Sequence, residues 1–167
     1  RQCDSNRIRF DEYGNGEYIV VFSAEDGLEQ DLVITEVNID SFIRTKGAVY
    51  SGAATLIRSV GDDFDMVDKV YIAGGIGNSL DIEKSIRIGL LPDIERLKFS
   101  YIGNSSLMGC YLTLLSEDAR KAMEKIAAAM TYIELSVYPD YIDEFVSACF
   151  LPHTNLQFFP SVEGEGL

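Results

Sequence analysis

Histidine, cysteine and positive charge are all scarce in this chain, and each scarcity removes a class of function. Histidine occurs once, as His153, and cysteine three times, as Cys3, Cys110 and Cys149. There is no CxxC pair and no Cys/His cluster, so a disulfide framework, a zinc site or an iron–sulfur cluster built from this chain alone is not expected. The cysteines read as buried, reduced residues of a cytoplasmic protein, with Cys110 in the core. His153 lies in FLPHTNLQFFPS with no nucleophile beside it, which suits packing or capping better than catalysis. No Ser/His/Asp or Cys/His arrangement can be assembled, and no catalytic residue or metal ligand is assigned. Lysine and arginine number 14 against 27 aspartates and glutamates, a net charge of −13. Such a surface repels phosphate backbones, so nucleic acid is not an expected partner. Asp62, Asp63, Asp65 and Asp68 read as a solvated loop.

Long apolar runs are missing too. No stretch approaches the roughly 20 residues that cross a bilayer, and nothing resembles a signal peptide, so no membrane association is expected. The Walker A ending GK[ST] does not occur. The dinucleotide pattern GxGxxG fails because Leu80 stands where the third glycine belongs. The next strand then ends in Tyr101-Ile102-Gly103 rather than in an acid for a ribose hydroxyl. Arg1 in place of methionine leads us to expect a piece of a longer protein.

What is present is an ordinary globular composition, 47% apolar and 25% charged over 167 residues, enough for one domain with a core. RIRFDEY-GNG-EYIVVF (7–22) reads as a hairpin around a Gly-Asn-Gly turn, SAEDGLEQD as an acidic loop, and LVIT (32–35) as a third strand. Thr35 suits a helix N-cap. From Glu36 to about Val60, Ile39, Phe42, Ile43, Val49, Tyr50, Ala53, Leu56 and Ile57 recur at helical spacing. KVYIAGG (69–75) reads as a strand buried on both faces, followed by a short helix over about 81–89 that stops at Gly89. FSYIG (99–103) is another strand. SSLMGCYLTLL (105–115) is a helix apolar all round and therefore central. Ser116 caps a further helix with an Ala119, Met123, Ile126, Met130 stripe and Glu117/Lys121 and Arg120/Glu124 pairs on its wet face. YIELSV suggests an edge strand, and PDYIDEFVSACF (139–150) a last helix with Pro139 at its first position. A hairpin followed by strands alternating with helices indicates one α/β domain with a mixed sheet over residues 1–162, and 163–167 as a flexible tail.

Two stretches stand out for chemistry. YIAGGIGNS (71–79) and SYIGNSSLMG (100–109) share Tyr-Ile, then glycine, then Gly-Asn-Ser, then a helix. If their strands are parallel neighbours, both turns open on one sheet edge, presenting glycine backbone where anions and nucleotides bind. Each turn alone is equally what a sharp bend and a capped helix require. Lys46 falls near the centre of the apolar face of the 36–60 helix, among small residues. There it either snorkels to an edge or meets an anion.

With these motifs in place, a strand ending in Gly-Gly and a later Gly-Asn-Ser turn into a helix resemble the second lobe of the actin, sugar-kinase and heat-shock ATPase superfamily, a ribonuclease H-like half-domain. The run from ITEVNIDSFIRTKGAVYSGAATLI through KVYIAGGIGNSLDIEKSIRIGLLPDI and YIGNSSLMGCYLTLLSEDAR to DEFVSACFLPHTNLQFFPSV looks like the C-terminal part of the ATP-dependent reductive activators of corrinoid proteins. It covers most of residues 31–162, and residues 1–30 match only loosely. The resemblance implies ATP as cofactor, with magnesium in the full-length protein, and a corrinoid protein as partner. It also implies an iron–sulfur electron donor outside this chain, reduction of cobalt(II) to cobalt(I), and a homodimer. Carried over by position, Gly74 and Gly75 match the adenosine motif, Gly77 and Asn78 continue it, and Gly103 and Asn104 (with Gly109) match the lobe-connecting segment. Lys46 lies on the helix that flanks the nucleotide. The first lobe, the phosphate-binding hairpin and the cluster cysteines have no counterpart here, so the chain alone is expected to be inactive. A metabolite-kinase lobe of the same superfamily and a non-catalytic docking or dimerisation module are the alternatives.

Overall fold

The computed structural model describes residues 5–27 and 29–163. Cys3 and the tail expected to be flexible, from residue 164 onward, lie outside them; Glu163 ends a short helix. Backbone packing divides the chain into two compact units, Arg1–Lys46 and Gly47–Leu167.

The first unit holds a three-stranded antiparallel sheet, β1 (Ile8–Phe10), β2 (Gly16–Val21) and β3 (Leu32–Thr35), in the order β1-β2-β3. The hairpin forms as expected, pairing Ile8 with Tyr18 and Phe10 with Gly16. Its loop is organised by Asp11, whose carboxylate accepts N–H bonds from Tyr13 and Asn15. The acidic stretch after β2 is not all loop. Ser23–Asp26 make one helical turn, α1, and the Ser23 N–H and hydroxyl both donate to Asp31 at 2.9 Å. Helix α2 (Glu36–Ser59) follows, and the division between units falls inside it. Thr35 and Asn38 cap its start reciprocally, each side-chain oxygen accepting the other's backbone N–H at 3.1 Å.

The second unit continues with β4 (Val70–Ala73), α3 (Gly74–Gly77), α4 (Ile82–Arg87), β5 (Phe99–Gly103), α5 (Ser105–Leu115), α6 (Glu117–Ala129), α7 (Tyr141–Ala148) and α8 (Pro160–Glu163). β4 and β5 pair in parallel. The antiparallel and parallel parts of the expected mixed sheet are thus separate ladders among the described residues. The core joins Tyr50 and Ala54 of α2 to Ile72, Ile86, Ile94, Phe99, Ala148 and Phe159. Aromatic packing is close there, with the Tyr50 ring 5.4 Å from Phe159 and 5.6 Å from Phe64.

Several expectations are corrected. The stripe read along α2 splits: Tyr50 and Ala54 turn inward, whereas Phe42 and Val49 are 48% and 49% exposed. The inward face is the one whose small residues permit close approach; a Cβ at Gly47 would lie 2.9 Å from Cys149 Sγ. β4 buries Ile72 but leaves Tyr71 exposed, so it is covered on one face only. Helix α5 is not central: Leu107, Met108, Leu112 and Leu114 are exposed, and Cys110 with them. The stripe on α6 is likewise exposed at Met123, Ile126 and Met130. YIELSV forms no strand, because Glu134 draws the chain into a 3₁₀ turn by accepting from the Ser136 N–H and hydroxyl. Helix α7 starts at Tyr141, after Asp140 in the left-handed region (φ 64°), so Pro139 precedes its cap.

The C-terminal segment is tied down by one carboxylate. Asp93 accepts the Ser161 N–H at 2.7 Å, the Ser161 hydroxyl at 2.8 Å and Arg96 Nη1 at 2.6 Å. Burial pushes the Asp93 carboxyl up, but Ser161 and Arg96 outweigh it and hold it below the ordinary carboxylate range. A lowered carboxylate stabilises the fold above its unfolded pKa, and the contribution is lost as pH falls through the folded value. Asp93→Asn is therefore expected to cost about 1–2 kcal/mol at neutral pH. The gap between variant and parent in urea unfolding should close as pH drops below about 4. Gly89 gives a second test. It sits at φ 74°, and a Cβ there would drive into the Pro152 carbonyl. Gly89→Ala should lose at least about 2 kcal/mol in the same measurement.

Candidate functional site

The pairing of β4 with β5 runs from Val70 opposite Phe99 to Ala73 opposite Gly103, with a register shift after Ile72. Parallel strands end on the same edge, so the two glycine turns singled out in the sequence emerge side by side. Gly74 and Gly103 adopt φ 89° and 63°, values that L side chains rarely adopt, which explains glycine at both positions. The first turn coils once as α3, with the Asn78 N–H donating to the Gly74 carbonyl at 3.1 Å. It is tied to the neighbouring strand by the Tyr101 hydroxyl, which donates to the Leu80 carbonyl.

Space distinguishes these glycines. A Cβ built at Gly74, Gly75 or Gly103 would meet nothing within 4 Å, whereas one at Gly77 would lie 2.9 Å from Ile72 Cγ2. Gly74, Gly75 and Gly103 therefore offer uncovered main chain along one edge, the surface against which a flat group such as a nucleoside can lie. Gly77 is a packing glycine beneath it. Asn78 is exposed and continues the turn. Asn104 caps α5, its side-chain oxygen accepting from the Leu107 N–H at 3.0 Å. What this edge offers a ligand is backbone and shape rather than charged side chains.

Lys46 belongs to the first unit. It is fully buried and engaged in interactions of its own. A buried ammonium is stable only when paired, so the cation on the apolar face is satisfied there rather than left reaching into solvent. His153 packs as its surroundings suggest: 5% exposed, it lies against Tyr50 and Phe158, and its Nδ1 accepts the Asn155 N–H at 2.9 Å. Sequence reasoning missed its polar partner. Glu144 lies 3.2 Å from His153 Nε2 and takes Arg58 Nη1 at 2.6 Å, an association across 86 residues that no local spacing signals. Asp63 is not simply a solvated charge, for its carboxylate caps the 3₁₀ turn Phe64–Met66. Among the described residues, no group of three or more His, Cys, Asp or Glu side chains could hold a metal. No helix among them is long and apolar enough to cross a membrane.

Known proteins resemble this chain over nearly its whole length. The family model described as the C-terminal domain of RACo, the ASKHA domain, matches residues 1–163. The corrinoid activation enzyme RamQ of Eubacterium limosum is 30% identical over 141 residues, covering 84% of this chain and 24% of that protein. A solved reductive activator for corrinoid, iron-sulfur protein superposes with a TM-score of 0.86 at 48% identity, over 95% of this chain and 25% of that one. The chain thus spans about a quarter of the length of the relatives it matches.

The contrast between open and packed glycines is directly measurable. Gly75→Val should leave thermal and urea unfolding within about 0.5 kcal/mol of the parent, because its side chain enters open space. Gly77→Val should lose about 1–3 kcal/mol by pressing on Ile72. Equal losses at the two positions would contradict the geometry.

Proposed function

The chain belongs to the family of RACo C-terminal ASKHA domains, and on that footing we propose that it is the adenosine-binding portion of a protein that uses ATP to reduce a corrinoid protein. In the reaction we envisage, one electron from a reduced iron–sulfur cluster elsewhere in the protein passes to cobalt(II) of a corrinoid methyl-transfer protein. This yields cobalt(I) as ATP is hydrolysed to ADP and phosphate. The observation that carries the reading is the pair of adjacent turns with open main chain at Gly74, Gly75 and Gly103. A base or ribose can approach such backbone to van der Waals distance, which any side chain would prevent. Gly74 and Gly75 would hold the adenosine, Gly77 would support the turn from below, and Asn78, Gly103 and Asn104 would shape its rim. The names of the similar proteins, an enzyme of corrinoid activation and a reductive activator, support the corrinoid partner.

Several finer features belong to the same proposal. ATP would be bound with magnesium by the full-length protein, which would be cytoplasmic and a homodimer. The chain alone would neither hydrolyse ATP efficiently nor transfer an electron. Lys46 was assigned to the nucleotide-flanking helix, but its full burial favours a structural role. Lys46→Ala is accordingly expected to lower stability more than nucleotide affinity.

Titration of the full-length protein with ATP tests the site. Gly75→Val should weaken binding at least about tenfold, or 1.4 kcal/mol, while the fold is kept. Unchanged affinity in the folded variant would remove the assignment. ATP turnover stimulated by a cobalt(II) corrinoid protein is the expected activity of the parent. Formation of a phosphorylated small molecule instead would point to a metabolite kinase.

A further inference from the structure

The second unit carries a cavity that neither the glycine edge nor the proposed nucleotide accounts for. It measures about 380 Å³ and is walled by the Tyr50, Phe64 and Phe158 rings, and its lining includes Arg58, Asp63 and Asp65. The 63–65 turn leads into β4, and Pro92 to Ile94, also on the wall, lead into β5. The cavity therefore lies at the beginning of the two strands, whereas the glycine turns follow their ends. A volume of this size is within the range of small-molecule sites, and an aromatic wall with a few polar groups is their usual lining.

One polar group in that wall is unused. Tyr50 is 2% exposed, yet among the described residues its hydroxyl makes no hydrogen bond. Burial and the nearby Glu144 carboxylate push the phenol up, so the hydroxyl keeps its proton and can donate. No buried side-chain nitrogen or oxygen among the described residues lacks a hydrogen-bond partner, so this hydroxyl is not sealed in the core but open to the cavity that its ring lines, where water or a ligand can take its bond. Arg58, on the same cavity lining, commits Nη1 to Glu144 at 2.6 Å, and a guanidinium has further N–H groups to offer. Two donors against an aromatic wall call for an acceptor oxygen on a flat ring. Asp63 and Asp65 in the wall make an anionic acceptor unfavourable.

We propose that this cavity is a second binding site, for a small neutral aromatic molecule whose carbonyl oxygen accepts from the Tyr50 hydroxyl while its ring lies among Tyr50, Phe64 and Phe158. The site is independent of the adenosine reading, since none of its residues belongs to the glycine turns.

Benzamide is the probe, titrated into the full-length protein and followed by saturation-transfer NMR. Saturable binding at about 1 mM or tighter is expected, the strength open to a ligand of that size. Tyr50→Phe keeps the ring and removes the donor, and should weaken benzamide about fivefold. Ile57→Trp, at a half-buried wall position, should abolish binding by filling the space without unfolding the protein. Gly75→Val should leave benzamide affinity as it is even where it abolishes nucleotide binding, so the two sites fail separately. Benzoate should bind more weakly than benzamide. No saturable benzamide binding, equal affinity in Tyr50→Phe, or benzoate binding as tightly as benzamide would overturn the proposal.

Discussion

The parallel pairing of β4 with β5 is the constraint on which the rest of the second unit depends. Two parallel strands cannot be joined by a tight turn; the chain must leave one end of the first and return to the start of the second. Residues 74–98 make that journey through α3 and α4, and the register from Val70–Phe99 to Ala73–Gly103 fixes where each end comes to rest. Both glycine turns are then neighbours of necessity, and so are the two segments that lead into the strands. A pair of short strands is marginal by itself. It holds here because Ile72 and Phe99 are buried together with Ile86, Tyr50 and Phe159, and because Asp93 fastens the C-terminal segment beside the entry to β5.

How much of this was legible in the sequence depended on the range of each interaction. Glycine at a left-handed position and a side chain capping the next helix act within a few residues. The turns at Gly74 and Gly103, and the caps at Thr35, Asn104 and Ser116, were therefore readable from their own neighbourhoods. Repetition of Tyr-Ile-Gly and Gly-Asn-Ser marked two distant turns that would share an edge if their strands paired in parallel, and the β4–β5 ladder supplies that condition. Arg58, Glu144 and His153 had no such signal. Nor did the unpartnered Tyr50 hydroxyl, because only the folded arrangement shows which donor lacks an acceptor.

Burial was read least well, for a different reason. Hydrophobic periodicity reports that a face is suited to be covered, not what covers it. On α2 the inward face proved to be the one of Gly47, Tyr50, Ser51 and Ala54, where small residues let the chain approach closely, while Phe42 and Val49 face outward. On α5 the apolar character extends all round, and the described residues cover none of it fully. A face of this kind is suited to a surface that the described residues do not themselves supply.

The two ends of the β4–β5 pair also differ in how they can discriminate among ligands. At the glycine edge the Asn104 side-chain oxygen is already used on the Leu107 N–H, so recognition there rests chiefly on main chain and on the space left by absent side chains. Such a surface accepts a flat group of the right shape and has little power over its charge. At the other end a protonated phenol and a guanidinium define where an acceptor oxygen must lie, and flanking carboxylates penalise a negative one. Shape selection at one end and donor placement at the other are separable physical mechanisms. A substitution that fills space over Gly75 acts on the first, removal of the Tyr50 hydroxyl acts on the second, and the strand pair between them need not change for either.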